Sequence, residues 1–261
     1  MPSAFKIVLT FFTVLVCFAT SSAQVLKEKV PDKLVVLTFD DAVVSHATYV
    51  APLVKKYGFG ATFFVCEFVD PPFGDKTKYM SWEQIAELNK MGFEIGNHTW
   101  HHTHVNKMNK AKFIAELEYI ENKCAEYHIP KPVSFAYPGY DTSRRATEVL
   151  KEKGYLFARA GFDRGYNPLT DNPFVIPGFT TRATNKTTID SALQTAGNGK
   201  IIVLTIHGVP DEAHPWVNTP PAIFETYLKY LKEKHYKVIA LRDLKKYINT
   251  DAALTKLNPS N

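Results

Sequence analysis

From residue 33 to about residue 244, short runs of β-branched and aromatic residues alternate with helical patterns, and this alternation limits the chain to parallel βαβ units. The predicted strands are Leu34–Phe39, Ala61–Val65, Phe93–Gly96, Val133–Ala136, Leu156–Arg159, Ile201–Ile206 and Val238–Leu241. Helices are predicted near 45–57, 82–91, 110–126, 143–153, 186–196 and 220–235. Ser81 with Gln84 forms a capping-box pattern, and Gly92 is placed to stop that helix. Phe113, Leu117, Ile120 and Cys124 recur at three and four residues, as on a helix laid against a sheet. Such a chain closes into a (β/α) barrel or forms an open doubly wound sheet. No Gly-x-Gly-x-x-Gly follows the first strand, and Gly197-Asn198-Gly199-Lys200 leads into a strand, so a nucleotide-binding open sheet is disfavoured. In either architecture the reactive groups belong after the carboxyl ends of strands.

The ends of the chain read differently. Lys6, the apolar run Ile7–Ala19 of about 13 residues, and the small residues Ser21 and Ala23 fit a signal peptide over 1–23, cleaved before Gln24. The run is shorter than the roughly 20 residues that cross a bilayer, which argues against a permanent membrane anchor and for a secreted or periplasmic protein. Residues 24–32 read as an N-terminal linker, 33–244 as one catalytic domain and 245–261 as a C-terminal tail. Lys and Arg (31) are interleaved with Asp and Glu (26), which argues against nucleic acid as a partner. Cys66 and Cys124 remain after cleavage, and either a disulfide or two buried thiols fits them.

Polar clusters sit at four strand ends. Thr38-Phe39-Asp40-Asp41-Ala42 follows the first strand; a helix cap would explain one aspartate, but two adjacent carboxylates are costly to bury without a cation. Asn97-His98-Thr99-Trp100-His101-His102-Thr103-His104 follows the third, with His98 and His102 four apart. An Asp with two His leaves coordination positions open, as in a catalytic metal site, and cysteine is too scarce for structural zinc. Phe135-Ala136-Tyr137-Pro138-Gly139-Tyr140 makes a tight turn after the fourth strand, and Leu204-Thr205-Ile206-His207-Gly208 ends the sixth on a histidine.

These four segments, in this order and spacing, resemble the successive motifs of the polysaccharide deacetylase family, the NodB-type carbohydrate esterases. The resemblance covers about residues 33–244. It implies an irregular seven-stranded (β/α) barrel that hydrolyses N- or O-acetyl groups of an acetylated oligo- or polysaccharide. It implies a divalent transition metal, Zn2+ first with Co2+ or Ni2+ as alternatives, held by Asp41, His98 and His102. Asp40 would be the general base and His207 the general acid. The Pro138–Tyr140 turn would bind the oxyanion, most directly through the Gly139 N–H.

Two positions depart from the family pattern. Ala42 stands where Gly is usual, and Ala136 stands where many members carry an Arg that orients the base. Members with Phe-Ala-Tyr-Pro at this motif take the Arg from the next strand, which assigns that role to Arg159. Loss of the Arg would instead suit a non-catalytic carbohydrate-binding member of the fold. A serine hydrolase lacks its Gly-x-Ser-x-Gly elbow, and an amidohydrolase lacks its further strand-end His-x-His. In or beside the long connections 67–80, 160–185 and 208–219 lie Phe68, Phe73, Tyr79, Trp100, Tyr166 and Trp216; each alone reads as packing before binding, and Trp216 is the first choice for stacking on a sugar ring. His101, His104 and His214 read as wet or peripheral groups. Asn97-His98-Thr99 matches a glycosylation sequon, but a glycan there would block the cleft.

Overall fold

The computed structural model describes residues 24–70 and 72–257. The proposed signal peptide, residues 1–23, lies outside them. Eight strands occur: β1 Leu34–Phe39, β2 Thr62–Val65, β3 Glu94–Asn97, β4 Ser134–Ala136, β5 Phe157–Phe162, β6 Ile176–Thr180, β7 Ile202–Ile206 and β8 Lys237–Ile239. Every pairing between them is parallel. Strands β1 to β7 follow one another around the sheet, and β1 returns to β2 through Thr38↔Thr62 and Phe39↔Phe63 to close the barrel.

The closure is partial. Strand β8 pairs with the first half of β1, from Leu34↔Lys237 to Val36↔Ile239, on the side where β2 joins the second half. It therefore wedges open the bottom of the barrel while the carboxyl end stays shut. This corrects the strand assignment made from the sequence. The seventh barrel strand is Ile176–Thr180, inside the predicted 160–185 connection, and 238–241 supplies only the wedge. Pro177, Gly178 and the neighbouring turn residues concealed β6, whose register against β5 shifts between Arg159 and Phe162.

Around the barrel stand α1 Ala51–Tyr57, entered through a π-turn at His46–Val50, α2 Trp82–Lys90, α3 Lys110–Glu126, α4 Arg144–Glu152, α5 Lys186–Gln194 and α6 Pro221–Glu233. Helix α2 has both halves of the Ser81–Gln84 capping box, and α3 buries Phe113, Leu117, Ile120 and Cys124. Strand alternation divides the residues between two environments. Val35, Leu37, Phe39, Phe63, Val65, Ile202, Leu204 and Ile206 pack in the large cluster beneath the helices. Leu34, Val36, Phe64, Phe157, Ile176 and Val203 fill the lumen cluster. The same parity carries Asp40, His98, Arg159 and His207 to the inner rim, so these candidate site residues extend the lumen face of their strands.

The segments set apart from the sequence as linker and tail are packed. Val25 and Val30 join Leu244, Tyr247, Ile248 and Ala253 in the lumen-side cluster, and α7 Thr250–Lys256 closes it. Leu26 bridges to Ile248. A tail was expected because α7 has only two turns, too short to register as an amphipathic pattern. Cys66 and Cys124 are buried free thiols. No described helix is long and apolar enough to cross a membrane.

Candidate active site

The site lies at the carboxyl end of the barrel, in a cleft of about 470 Å3 lined by Asp40, Asp41, His98, His102, His207 and His214, with Phe68, Tyr140 and Trp216 towards its mouth. Its backbone is strained. Asp41, Ala42, Thr99, His102 and Tyr140 all adopt positive φ, which costs a residue with a side chain on the order of 1 kcal/mol or more. At Ala42 φ is +52°, the left-handed conformation for which Gly is the ordinary choice.

Asp40 continues the inward alternation of β1 and meets Arg159 of β5. Arg159 Nη2 donates to both carboxylate oxygens, at 2.6 and 2.5 Å. Both residues are buried. The guanidinium lies between the rings of Phe64 and Tyr140, 5.5 Å from each centroid. Tyr140 is held in turn by Thr180, its hydroxyl 2.7 Å from Thr180 Oγ1. Gly161 gives the Tyr140 ring room, since a Cβ there would fall 2.9 Å from it.

Asp41 points across the cleft. Its Oδ1 is 3.5 Å from the Nε2 atoms of both His98 and His102 and has no hydrogen-bond partner. The three ligand atoms lie within 4.8 Å of one another. His98 Nδ1 donates to the Ala136 carbonyl at 2.8 Å, which leaves Nε2 as the lone pair facing Asp41. Burial lowers the His102 imidazole to about 4 against the pull of Asp41, so it is neutral at pH 7. Burial opposes the charge on Asp41, but the imidazoles of His98, His102 and His207 around it outweigh burial and hold the carboxyl well below the carboxylate range. One oxygen and two imidazole nitrogens, converging with an orphaned carboxylate oxygen between them, fit a divalent transition ion with open positions.

Neighbouring side chains fix the histidine loop. Glu116 on α3 accepts from the His101 backbone N–H at 2.9 Å and pairs with its Nδ1 at 3.0 Å. Glu67, after β2, accepts from Trp82 (2.7 Å), Trp100 (3.1 Å) and Tyr119 (2.9 Å). Asn97 donates to the Leu117 carbonyl and contacts the Tyr155 hydroxyl, so the sequon side chain is buried. His104 pairs with Asp141 at 2.7 Å and tethers this loop to the turn at Pro138–Tyr140. Gly139 has φ +60°, and a Cβ there would lie 2.2 Å from His104 Cε1. The Tyr140 N–H is spent on the Tyr137 carbonyl.

His207 Nε2 stands 3.9 Å from Asp41 Oδ2, and its carbonyl accepts from buried His46 at 2.8 Å. One expectation is corrected. His214 is buried in the cleft wall, because Asp211 folds its loop inward. Tyr79 and Tyr166 are buried and cannot stack on a ligand, and Trp100 stacks on Tyr119 at 3.8 Å. Trp216 is 71% exposed at the cleft mouth. The sequence reading missed Glu67 and Glu116 and took His214 for a wet group. A carboxylate ending β2 and a His-Pro-Trp seven residues beyond His207 were the signals available.

Against this geometry, a profile of the polysaccharide deacetylase family matches residues 27–158, about half of the chain. The chain belongs to the polysaccharide deacetylase family. The poly-β-1,6-N-acetyl-D-glucosamine N-deacetylase of Escherichia coli K12 is 29% identical over 164 residues, which is 48% of this chain and 24% of that enzyme. The first curated relatives are thus matched over a quarter to a half of their length. Among solved structures, the Xyl-CE4 domain of a xylanase from the hindgut metagenome of Trinervitermes trinervoides superposes with a TM-score of 0.58 at 18% identity, covering 82% of this chain and 90% of that one. A CE4 family pseudoenzyme from Bacillus anthracis gives 0.55 at 17%, covering 82% and 65%.

Proposed function

We propose that the protein is an exported, metal-dependent hydrolase that removes acetyl groups from a polymeric carbohydrate. The observation that carries this reading is the placement of the Asp40–Arg159 pair one residue from the Asp41, His98 and His102 cluster, in one cleft. A divalent transition ion held by Asp41, His98 and His102 supplies Lewis acidity at the acetyl carbonyl and lowers the pKa of a water toward about 7.

The remaining chemistry belongs to the chain's own residues. Asp40, its charge compensated by Arg159, takes the proton of the attacking water. General base catalysis of this kind contributes about 10²–10⁴-fold. The Gly139 N–H, in the turn opened by buried Pro138, receives the developing oxyanion. His207 gives a proton to the departing sugar nitrogen or oxygen from the far side of the carbon. Trp216 offers a flat apolar face to a sugar ring outside the cleft.

The non-catalytic alternative rested on Ala136, and the bond from Arg159 to Asp40 favours the catalytic reading. The relatives' names place acetyl groups on amino-sugar polymers and beside xylan degradation. Acetate release from a panel of acetylated glucosamine and xylan oligomers, with and without chelator, tests the reaction and its substrate. Release from at least one polymer, lost with chelator, is expected; no release from any would oppose it. For export, the amino terminus of the secreted protein is expected at Gln24.

A further inference from the structure

His214 belongs to the loop that carries Trp216, but has no part in the chemistry proposed above. Asp211 organises that loop: its Oδ2 accepts from the Gly208 N–H at 2.9 Å and its Oδ1 from the His214 N–H at 2.7 Å. Ser45, at the entry to the π-turn, accepts from the Val209 N–H at 2.9 Å. The loop is thereby folded back, and the imidazole is driven under Phe68, with ring centroids 4.9 Å apart. Phe68 covers His102 in the same way, at 4.8 Å, so one apolar ring shields both imidazoles.

The two nitrogens of His214 face different partners. Nε2 lies 3.3 Å from the hydroxyl of Tyr79, a fully buried residue whose O–H can donate to it. That assignment leaves the hydrogen on Nδ1. Nδ1 is buried without a hydrogen-bond partner and lies between two carboxylates, 3.6 Å from Asp41 Oδ2 and 3.4 Å from Asp211 Oδ1. Asp211 Oδ1 accepts from the His214 backbone, which leaves Asp41 Oδ2 as the oxygen of the metal cluster that faces Nδ1. The other oxygen of Asp41, Oδ1, faces His98 and His102.

We infer that His214 is a positioning residue for Asp41. Its Nδ1–H holds the outer oxygen of the carboxylate, so that the inner oxygen is presented to a metal ion together with His98 and His102. A ligating carboxylate needs such a partner, and removing outer partners of this kind typically costs about 10–100-fold in metal affinity. The inference rests on the metal reading of the Asp41, His98 and His102 cluster.

Calorimetric titration of the metal-free full chain with Co2+ tests it, with circular dichroism as the check on folding. His214→Phe keeps the ring under Phe68 but has no donor, and is expected to weaken binding about 10–100-fold. His214→Asn places its amide nitrogen where Nδ1 lies and is expected to recover most of the affinity. His214→Gln places its amide near the Nε2 position, towards Tyr79, and is expected to bind as weakly as the Phe variant. Wild-type affinity in folded His214→Phe would overturn the inference. Equal affinities for the Asn and Gln variants would overturn it as well, even if the Phe variant fails to fold. Absence of binding by the wild-type chain would overturn the metal reading itself.

Discussion

One nitrogen of Arg159 bonds both oxygens of Asp40, at 2.6 and 2.5 Å, across the closed mouth of the barrel. The two residues are 119 apart in sequence and both are buried, so each supplies the charge that the other needs to be buried at all. Arg159→Met strands a buried carboxylate and is expected to cost about 3–5 kcal/mol in chemical denaturation. Asp40→Asn in the Arg159→Met background is expected to recover part of that loss, because the stranded charge is gone. Additive losses in the double variant would contradict the pairing.

A metal held by Asp41, His98 and His102 stabilises the folded chain by mass action. At a hundred times its Kd, the ion is expected to add about 2.7 kcal/mol, which raises Tm by roughly 5–10 °C in a domain of this size. Differential scanning calorimetry with chelator and then with added Zn2+ or Co2+ measures this. His98→Ala is expected to show no such rise.

The metal-free protein is expected to lose stability as pH falls from about 6.5 towards 4. His46, buried against its hydrogen bond to the His207 carbonyl, and His102, lowered to about 4, both lie below their ordinary value of 6.5 because burial disfavours their charge. The unfolded chain therefore binds more protons in that window, and acid draws the equilibrium towards it. His214 works with the opposite sign: burial lowers it, but Asp211 and Asp41 outweigh that and raise it, so its contribution is present below 6.5 and fades as pH rises. His102→Gln in the presence of chelator is expected to flatten the acid side of Tm against pH. An unchanged slope would contradict the assignment.

Gly139→Ala is expected to damage turnover more than stability. The residue has φ +60°, where a Cβ costs about 1–2 kcal/mol, and that Cβ would displace His104 from beside Asp141. Moving a substrate-facing backbone group by about 1 Å costs on the order of 10²-fold in rate. Steady-state kinetics beside a thermal melt separates the two effects.

The fold and the site were legible to different depths. Strands β1, β2 and β7 and the amphipathic helices were readable because uninterrupted β-branched runs and three-four spacing are local signals. Strand β6 was hidden because Ile176-Pro177-Gly178 reads locally as a turn, and only its neighbours β5 and β7 make it a strand. The Asp40-Asp41 and His98-His102 clusters stood out because polar groups at the ends of apolar strands are conspicuous. The loop that buries His214 was not legible, since hydrogen bonds from its backbone N–H groups to Asp211 and Ser45 set its path. Glu67 and Glu116 look like ordinary surface acids until the fold closes on them.

The central claim is that Asp40 acts as the base beside a metal site that does not depend on it. The most direct measurement is acetate release from an acetylated glucosamine oligomer by wild type and Asp40→Asn, each first shown to bind Co2+. The account predicts equal metal binding and a loss of at least about 10²-fold in kcat for the variant. Turnover by Asp40→Asn within a few-fold of wild type would contradict it.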